Sequence, residues 1–206
     1  MTAQAGLFPV DEPIVSFDGE HRFLSNFAHA PIEMVRSVFV SQALSWWSPE
    51  LTLFFPTVEH AFQAAKVEPA TPHFAEHYRR IAEAPSPGAA KRLGSPRGFR
   101  EHGATLRQGW DEIKVVVMLA CLRKKFASSA APGMAVDQGG RLPPSGLDRL
   151  LLHTGRRVLV EGNTWNDTYW GVCNGVGTNM LGRLLMLVRA ELNCAAAAGL
   201  APELLR

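Results

Sequence analysis

The stretch TVEHAFQAAK, residues 57–66, sets a carboxylate near its start and an amine at its end, with Ala and Phe filling most of the positions between. Thr57 can cap a helix and Pro69 lies just beyond, so the spacing predicts a helix over 57–67. Seven residues advance about 700° around a helix. Glu59 and Lys66 therefore point within about 20° of each other and lie roughly 10 Å apart along the axis. Gln63 falls between them on the same face. That polar face has two readings. Lys66 can be partly desolvated, which lowers an amine's pKa and makes it a nucleophile. Alternatively, Lys66 snorkels to water and Glu59 is an ordinary helix-start acid. Taken alone, the decapeptide favours the second.

The surrounding chain reads as one soluble domain. Its 206 residues are enough for one sizeable core, and 47% hydrophobic against 19% charged is an ordinary globular balance. The net charge of +2 hides an asymmetry: residues 79–125 hold eleven Lys/Arg against four Asp/Glu. This basic middle suits an anionic ligand or a solvated helix face about equally. Cys121, Cys173 and Cys194 are an odd, widely spaced set, which argues for a reducing compartment and against a disulfide framework. No basic segment precedes an apolar run at the start, so no signal peptide is expected. The longest apolar run, Val115–Leu122, is too short to span a bilayer. A cytoplasmic protein follows as the expectation.

The expected architecture is α+β: a helix-rich single domain with a few short β-strands. Residues 1–13 read as a loose leader, 14–193 as the domain and 194–206 as a tail. Ile14, Val15 and Phe17 predict a short strand, and "RRVLVEG" (156–162) another. Short strands around a Ser-Pro turn are expected in the aromatic segment 36–55. Helices are predicted over 72–84, with Phe74, Tyr78 and Ile81 on one stripe, and over "PGAAKRL", with Ser86 as cap. Residues 109–126 make the strongest helix. Asp111 and Glu112 sit in its first turn, Arg123, Lys124 and Lys125 in its last, and its middle is apolar all round. Residues 128–146 read as a loop insertion. Short helix 147–153 and closing helix 178–193 complete the domain, the latter with Leu181, Leu184, Leu185, Val188 and Leu192 inward.

Three constellations besides the opening stretch can carry chemistry. "HFAEH" (73–77) fits the H-x-x-E-H pattern of zinc peptidases, but three fixed positions in a chain with seven His are a weak signal. "GVCNGVGTN" (171–179) leads into a helix. It can cradle a phosphate on backbone N–H groups, or it is a tight loop that needs positive φ. Trp165, Asn166, Asp167, Tyr169 and Trp170 crowd one loop, an arrangement that lines a pocket for a planar ring.

Four blocks occur in order: "FLSNF" (23–27), "VEHAFQAAK" (58–66), "LRQGWDEIKVVVMLACLRKKF" (106–126) and "LVEGNTWNDTYWGVCNGVGTNMLGRLLMLVRAEL" (159–192). Together they resemble the NADAR family, with its YbiA-like N-glycosidase branch. The motifs E-H-x-x-Q-x-x-K, G-W-x-x-(I/V)-K and N-D-x-(Y/F)-W-G carry the resemblance, which covers roughly residues 14–193. It implies hydrolysis of a ribosyl C1–N bond, with no cofactor and no metal. One branch acts on early phosphoribosylamino intermediates of riboflavin synthesis. The other removes ADP-ribose from guanine in DNA, so the implied partner is a phosphorylated ribosyl or ADP-ribosyl substrate, ADP-ribosylated DNA among them. Carried over, Glu59, Lys66 and Asp167 are the expected catalytic residues, with Lys66 forming an imine at the anomeric carbon. Ser25, Asn26, Phe27, Trp110, Trp165, Trp170, Gly171 and Asn179 are the expected substrate-binding residues. A non-catalytic module that binds ADP-ribose or a nucleotide in the same pocket is the alternative.

Overall fold

A computed structural model describes residues 11–34, 54–127 and 146–200. The chain forms a helix-rich α+β domain with four two-residue strands among the described residues. A 3-10 helix, Gly19–Leu24, comes first, followed by β1 (Ile32–Glu33), which pairs antiparallel with β2 (Phe54–Phe55). Four helices follow: α1 (Val58–Ala64), α2 (Phe74–Ala82), α3 (Pro87–Leu93) and α4 (Pro96–Glu101). Then come the long α5 (Trp110–Ala127), the short α6 (Leu147–His153), a parallel pair β3 (Gly162–Asn163) and β4 (Val172–Cys173), and α7 (Met180–Ala197).

The packing centres on α1. All seven of its residues are buried, and it touches α2, α3, α5 and β2. Thr57 caps it as the sequence predicts, accepting the His60 N–H at 3.3 Å. The same hydroxyl donates to His60 Nδ1 at 2.8 Å, while Nε2 donates to the Ala84 carbonyl at 3.0 Å. These bonds fix the imidazole as a neutral ring, and burial lowers its pKa. Around α1, Phe74, Tyr78 and Ile81 are buried as their spacing requires, and Tyr78 packs edge-on against Phe55. Helix α7 buries Leu181, Leu184, Leu185, Val188 and Leu192. Its first turn lies so close to the segment around Leu159 that a Cβ on Gly182 would sit 2.1 Å from the Leu159 carbonyl oxygen. Farther along, Arg123 of α5 grips Glu191 with two bonds of 2.5 and 2.9 Å.

Several details differ from the sequence reading. The strands expected near 14–17 and 156–162 shrink to one parallel bridge, Ile14 with Leu159. The 3-10 helix takes over at once after Asp18, so the first segment has no room to extend. Helix α4 is new, although Ser95 and Pro96 repeat the cap-and-proline signature of α3. Helix α7 runs on to Ala197, into the segment read as a tail. The middle of α5 is not buried all round: Val117, Met118, Cys121 and Leu122 are, but Val116 is 67% exposed. Lys125, expected to serve the helix dipole at the surface, is buried. Its Nζ donates to the Ser25 carbonyl at 2.8 Å, and burial lowers its pKa to about 7. Most of segment 36–55, and the insertion 128–146 except Gly146, lie outside the described residues.

Two expected outcomes follow from this packing. Thr57→Val removes both the cap and the partner of His60 Nδ1, so denaturant unfolding should show a loss of about 2–4 kcal/mol. For Lys125 the folded pKa lies below the ordinary 10.5, so the unfolded chain binds the proton more tightly. Stability from this residue is therefore lowest below about pH 7 and rises toward pH 10.5. Unfolding free energies of wild type and Lys125→Met, compared at pH 7 and pH 9, should diverge in the wild type's favour as pH rises.

Candidate active site

Helix α1 and the turn after it form one wall of a cavity of about 430 Å³, α1 contributing Glu59, Phe62 and Gln63 and the turn Lys66. That size suits a small-molecule site. The helix stops at Ala64, short of the 57–67 that the spacing predicts, so Lys66 stands two residues past its end. The carboxylate and the amine thus face one space, and Gln63 Nε2 donates to Glu59 Oε1 at 2.7 Å. Glu59 is only 6% exposed. Burial raises its pKa, and Asp167 adds to the rise. The Gln63 bond and the charges of Lys91 and Lys66 oppose it. Lys66 rests on aromatic carbon, with Nζ 5.4 Å from the Phe62 ring centre and 6.0 Å from that of Trp110. Burial lowers its pKa, reinforced by the neighbouring charges of Lys91 and Lys114 and opposed by Glu59. The neutral amine is thus closer to hand than on a solvated lysine.

The second wall is the turn that follows the 3-10 helix. The Glu59 N–H donates to the Asn26 carbonyl at 3.1 Å, and the Ala28 N–H to the Ser25 carbonyl at 3.1 Å. Lys125 holds the same Ser25 carbonyl from below. Ser25, Asn26 and Phe27 all line the cavity. Asn26 Nδ2 points at the sulfur of Met118, 3.5 Å away, and its Oδ1 is buried with no hydrogen-bond partner among the described residues.

The third wall is the loop after β3. Asn163 organises it: its Oδ1 accepts the N–H groups of Trp165 and Asp167 at 3.2 and 3.1 Å, and its Nδ2 donates to the Asp167 carbonyl at 2.8 Å. Asp167 Oδ1 in turn accepts the N–H groups of Tyr169 and Trp170 at 3.2 and 2.8 Å. Trp165, Asp167 and Trp170 line the cavity. Trp170 stands edge-on to Phe62 with ring centres 5.3 Å apart. Trp165 is 62% exposed, an apolar plate beside the cavity with most of its surface still wet.

Three predicted binding residues do not line the cavity. Trp110 lies behind Phe62, ring centres 5.1 Å apart, and supports the wall from the core. Gly171, one residue before β4, lies against Glu161, one residue before β3: a Cβ there would sit 2.3 Å from the Glu161 carbonyl oxygen. Asn179 accepts the Glu161 N–H at 3.0 Å and donates to the Leu159 carbonyl at 2.8 Å. The Gly-rich turn 174–177 also lies outside the cavity. It closes on itself through paired Cys173–Val176 backbone bonds of 2.9 Å, with Gly175 at φ 78°.

Sequence reasoning missed four charged groups that do line the cavity: Asp18, Arg22, Lys91 and Glu161. Lys91 could be placed on a helix from sequence, yet nothing local aimed it. The basic middle of the chain largely disperses: Arg80, Arg97, Lys114 and Arg123 pair with Glu76, Glu101, Asp111 and Glu191. In the H-x-x-E-H stretch, Glu76 pairs with Arg80, and His77 donates to the Leu93 carbonyl at 3.1 Å. Among the described residues no group of three or more His, Cys, Asp or Glu side chains is arranged to hold a metal. No helix among them is long and apolar enough to cross a membrane.

Comparison with known proteins gives the family. A family model described as the NADAR domain matches residues 16–193. The chain is 36% identical over 169 residues to the N-glycosidase YbiA of Shigella flexneri serotype 5b, covering 82% of this chain and 79% of that protein. It is 35% identical to the chloroplastic riboflavin biosynthesis protein PYRR of Zea mays across 67% of this chain, a match that takes up 20% of the maize protein. The NMR structure of Escherichia coli YbiA has the same fold, with a TM-score of 0.61 and 30% identity over 92% of this chain and 90% of that one. The chain therefore belongs to the NADAR domain family and is an enzyme of the N-glycosidase type.

Proposed function

We propose that the protein hydrolyses the C1–N bond between a ribose phosphate and a base-like amine, with Lys66 as nucleophile and Glu59 as its partner across the sugar. One observation carries this reading: Glu59, in the first turn of the buried α1, and Lys66, in the turn just past its end, line the same cavity. The Lys66 N–H bonds back to the Gln63 carbonyl at 3.2 Å, which ties that turn to the helix, so a sugar can lie between the two groups without either side chain moving far.

In the reaction, neutral Lys66 Nζ attacks C1 and forms a new C–N bond. The bond from C1 to the departing nitrogen breaks, and its electron pair leaves with that nitrogen together with a proton. Loss of a proton from Lys66 Nζ and opening of the ribose ring give an imine. Water then adds to the imine carbon, and the lysine leaves as an amine with the free sugar. Glu59 holds ribose hydroxyls and shuttles protons, helped by its raised pKa. Asp167, fixed by two backbone N–H groups, is a third polar contact for the sugar. Trp165 supplies a stacking face for the base, and Arg22 and Lys91 supply positive charge for the phosphate.

Two substrate classes fit this chemistry. One comprises early phosphoribosylamino intermediates of riboflavin biosynthesis; the other is ADP-ribose on guanine in DNA. The maize relative's name favours the first. Incubation with each, followed by chromatography of the released sugar and base, decides between them. Binding of either without release would instead support a non-catalytic module.

Lys66→Ala and Glu59→Ala should each lower kcat by at least 100-fold with the fold retained. Full activity in both would refute these roles. Borohydride added during turnover should leave a sugar adduct on Lys66, found by peptide mass analysis, and none on Lys66→Arg. The wild-type rate should also rise with pH along a limb centred below the ordinary lysine pKa of 10.5, because the neutral amine is the reacting form.

A further inference from the structure

Glu161 lies inside the last sequence block but outside the three short motifs that carry the resemblance, yet the structure builds an unusual amount around it. Its backbone is held on both sides. The N–H donates to Asn179 Oδ1 at 3.0 Å, and the carbonyl accepts the Val172 N–H at 2.8 Å. Gly171 lies so near that a Cβ would come within 2.3 Å of the Glu161 carbonyl oxygen and 3.1 Å of its Cγ. Asn179 adopts the left-handed conformation, φ 52°, while its side chain makes that bond. Two residues that family resemblance marks as substrate contacts are thus occupied in placing Glu161.

The side chain they place lines the cavity shared with Glu59, Lys66 and Asp167. Its Oε2 is buried and has no hydrogen-bond partner among the described residues. Isolated buried carboxyl oxygens are costly unless the group is neutral or a ligand completes it. We infer that Glu161 is the catalytic acid of this site, giving its carboxyl proton to the nitrogen that departs from C1. This inference rests on the N-glycosidase reading above and adds the group that reading lacks.

The step balances with the Lys66 attack. As the C1–N bond breaks, its electron pair stays on the nitrogen, which takes the Glu161 proton and leaves as a neutral amine. The resulting Glu161 carboxylate accepts the proton that Lys66 Nζ sheds on becoming an imine. When water later adds to the imine carbon, the same carboxylate can pass that proton to the lysine nitrogen as it leaves. The surroundings keep the carboxyl protonated near neutrality: burial first, then the charges of Asp167 and Glu59, raise its pKa to about 7, against the opposing charges of Lys91 and Lys125. A carboxyl poised there serves as an acid at physiological pH.

The test uses the full chain and a series of N-phenyl ribosylamine 5-phosphates. Their anilines run from methoxy-substituted, which need protonation to leave, to nitro-substituted, which leave more easily without it. Glu161→Gln should lose about 10²–10⁴-fold in kcat/KM on the methoxy member, and the loss should shrink steadily toward the nitro member. On the alkaline side of the rise set by Lys66, the wild-type rate should fall as the Glu161 carboxyl, pushed up to about 7, loses its proton, and Glu161→Gln should lack that fall. An equal loss across the series, or no loss, overturns the acid role and leaves the N-glycosidase reading standing. Failure of the wild type to release any aniline overturns the ribosylamine reading and the acid role with it. If Glu161→Gln does not fold, Glu161→Asp, shorter by one methylene, is read by the same leaving-group slope.

Discussion

The structure depends on taking α1 out of water. A seven-residue helix is too short to be stable alone, so its order comes from packing on every side. That packing leaves no solvent to share with Glu59, and it places the stem and amine of Lys66 on Phe62 and Trp110. Desolvation costs a charged group several kcal/mol, and each charge here survives by leaning on another. Gln63 supports Glu59; Glu59 and Lys66 oppose each other's shift; Lys91 favours the carboxylate and disfavours the ammonium. The reactivity of the site and the stability of the core are therefore set by the same burial.

Hydrogen bonds to backbone do the rest of the positioning. The Ser25–Ala28 turn is tied to α1 by one amide and to α5 by the buried Lys125. The loop carrying Asp167 is knitted by Asn163, and the segment carrying Glu161 by Asn179. In each case a polar side chain satisfies backbone groups that the short strands leave unpaired. Sheets of two residues cannot supply that satisfaction, so asparagines stand where longer ladders would otherwise run.

Much of the helical frame is legible in the sequence because its signals are local. Ser86 and Pro87 announce α3, Thr57 announces α1, and the leucine stripe of α7 shows which face is inward. Helix α4 was equally announced by Ser95 and Pro96. The expected strands shrink because short apolar runs at 14–17 and 156–162 favour an extended chain without guaranteeing a neighbour to pair with. In the site, Glu59 and Lys66 are readable from helical spacing, and the Trp165–Trp170 loop from its crowding. Arg22, Lys91 and Glu161 are not, since each reaches the cavity only through tertiary packing. Lys125 misleads for the same reason: the dipole argument places a lysine well at a helix end, but Ser25 comes from a hundred residues away. Asn179 and Gly171 are readable as important, but their neighbours decide what for.

The walls of the cavity differ in how freely they can change. Glu59 on α1 and Lys66 in the turn tied to its end belong to one tightly packed segment, so the distance between them is a property of the backbone and cannot be tuned without unpacking the core. The rest of the cavity lining comes from elsewhere: the 16–27 segment, the last turn of α3, and the loop with Trp165. The first two are tied to or packed on α1, whereas the tip with Trp165 hangs on its own Asn163 and can change without disturbing that helix. A fixed pair of charged groups thus sits beside a rim that can be exchanged, so one scaffold can admit ligands of different shape.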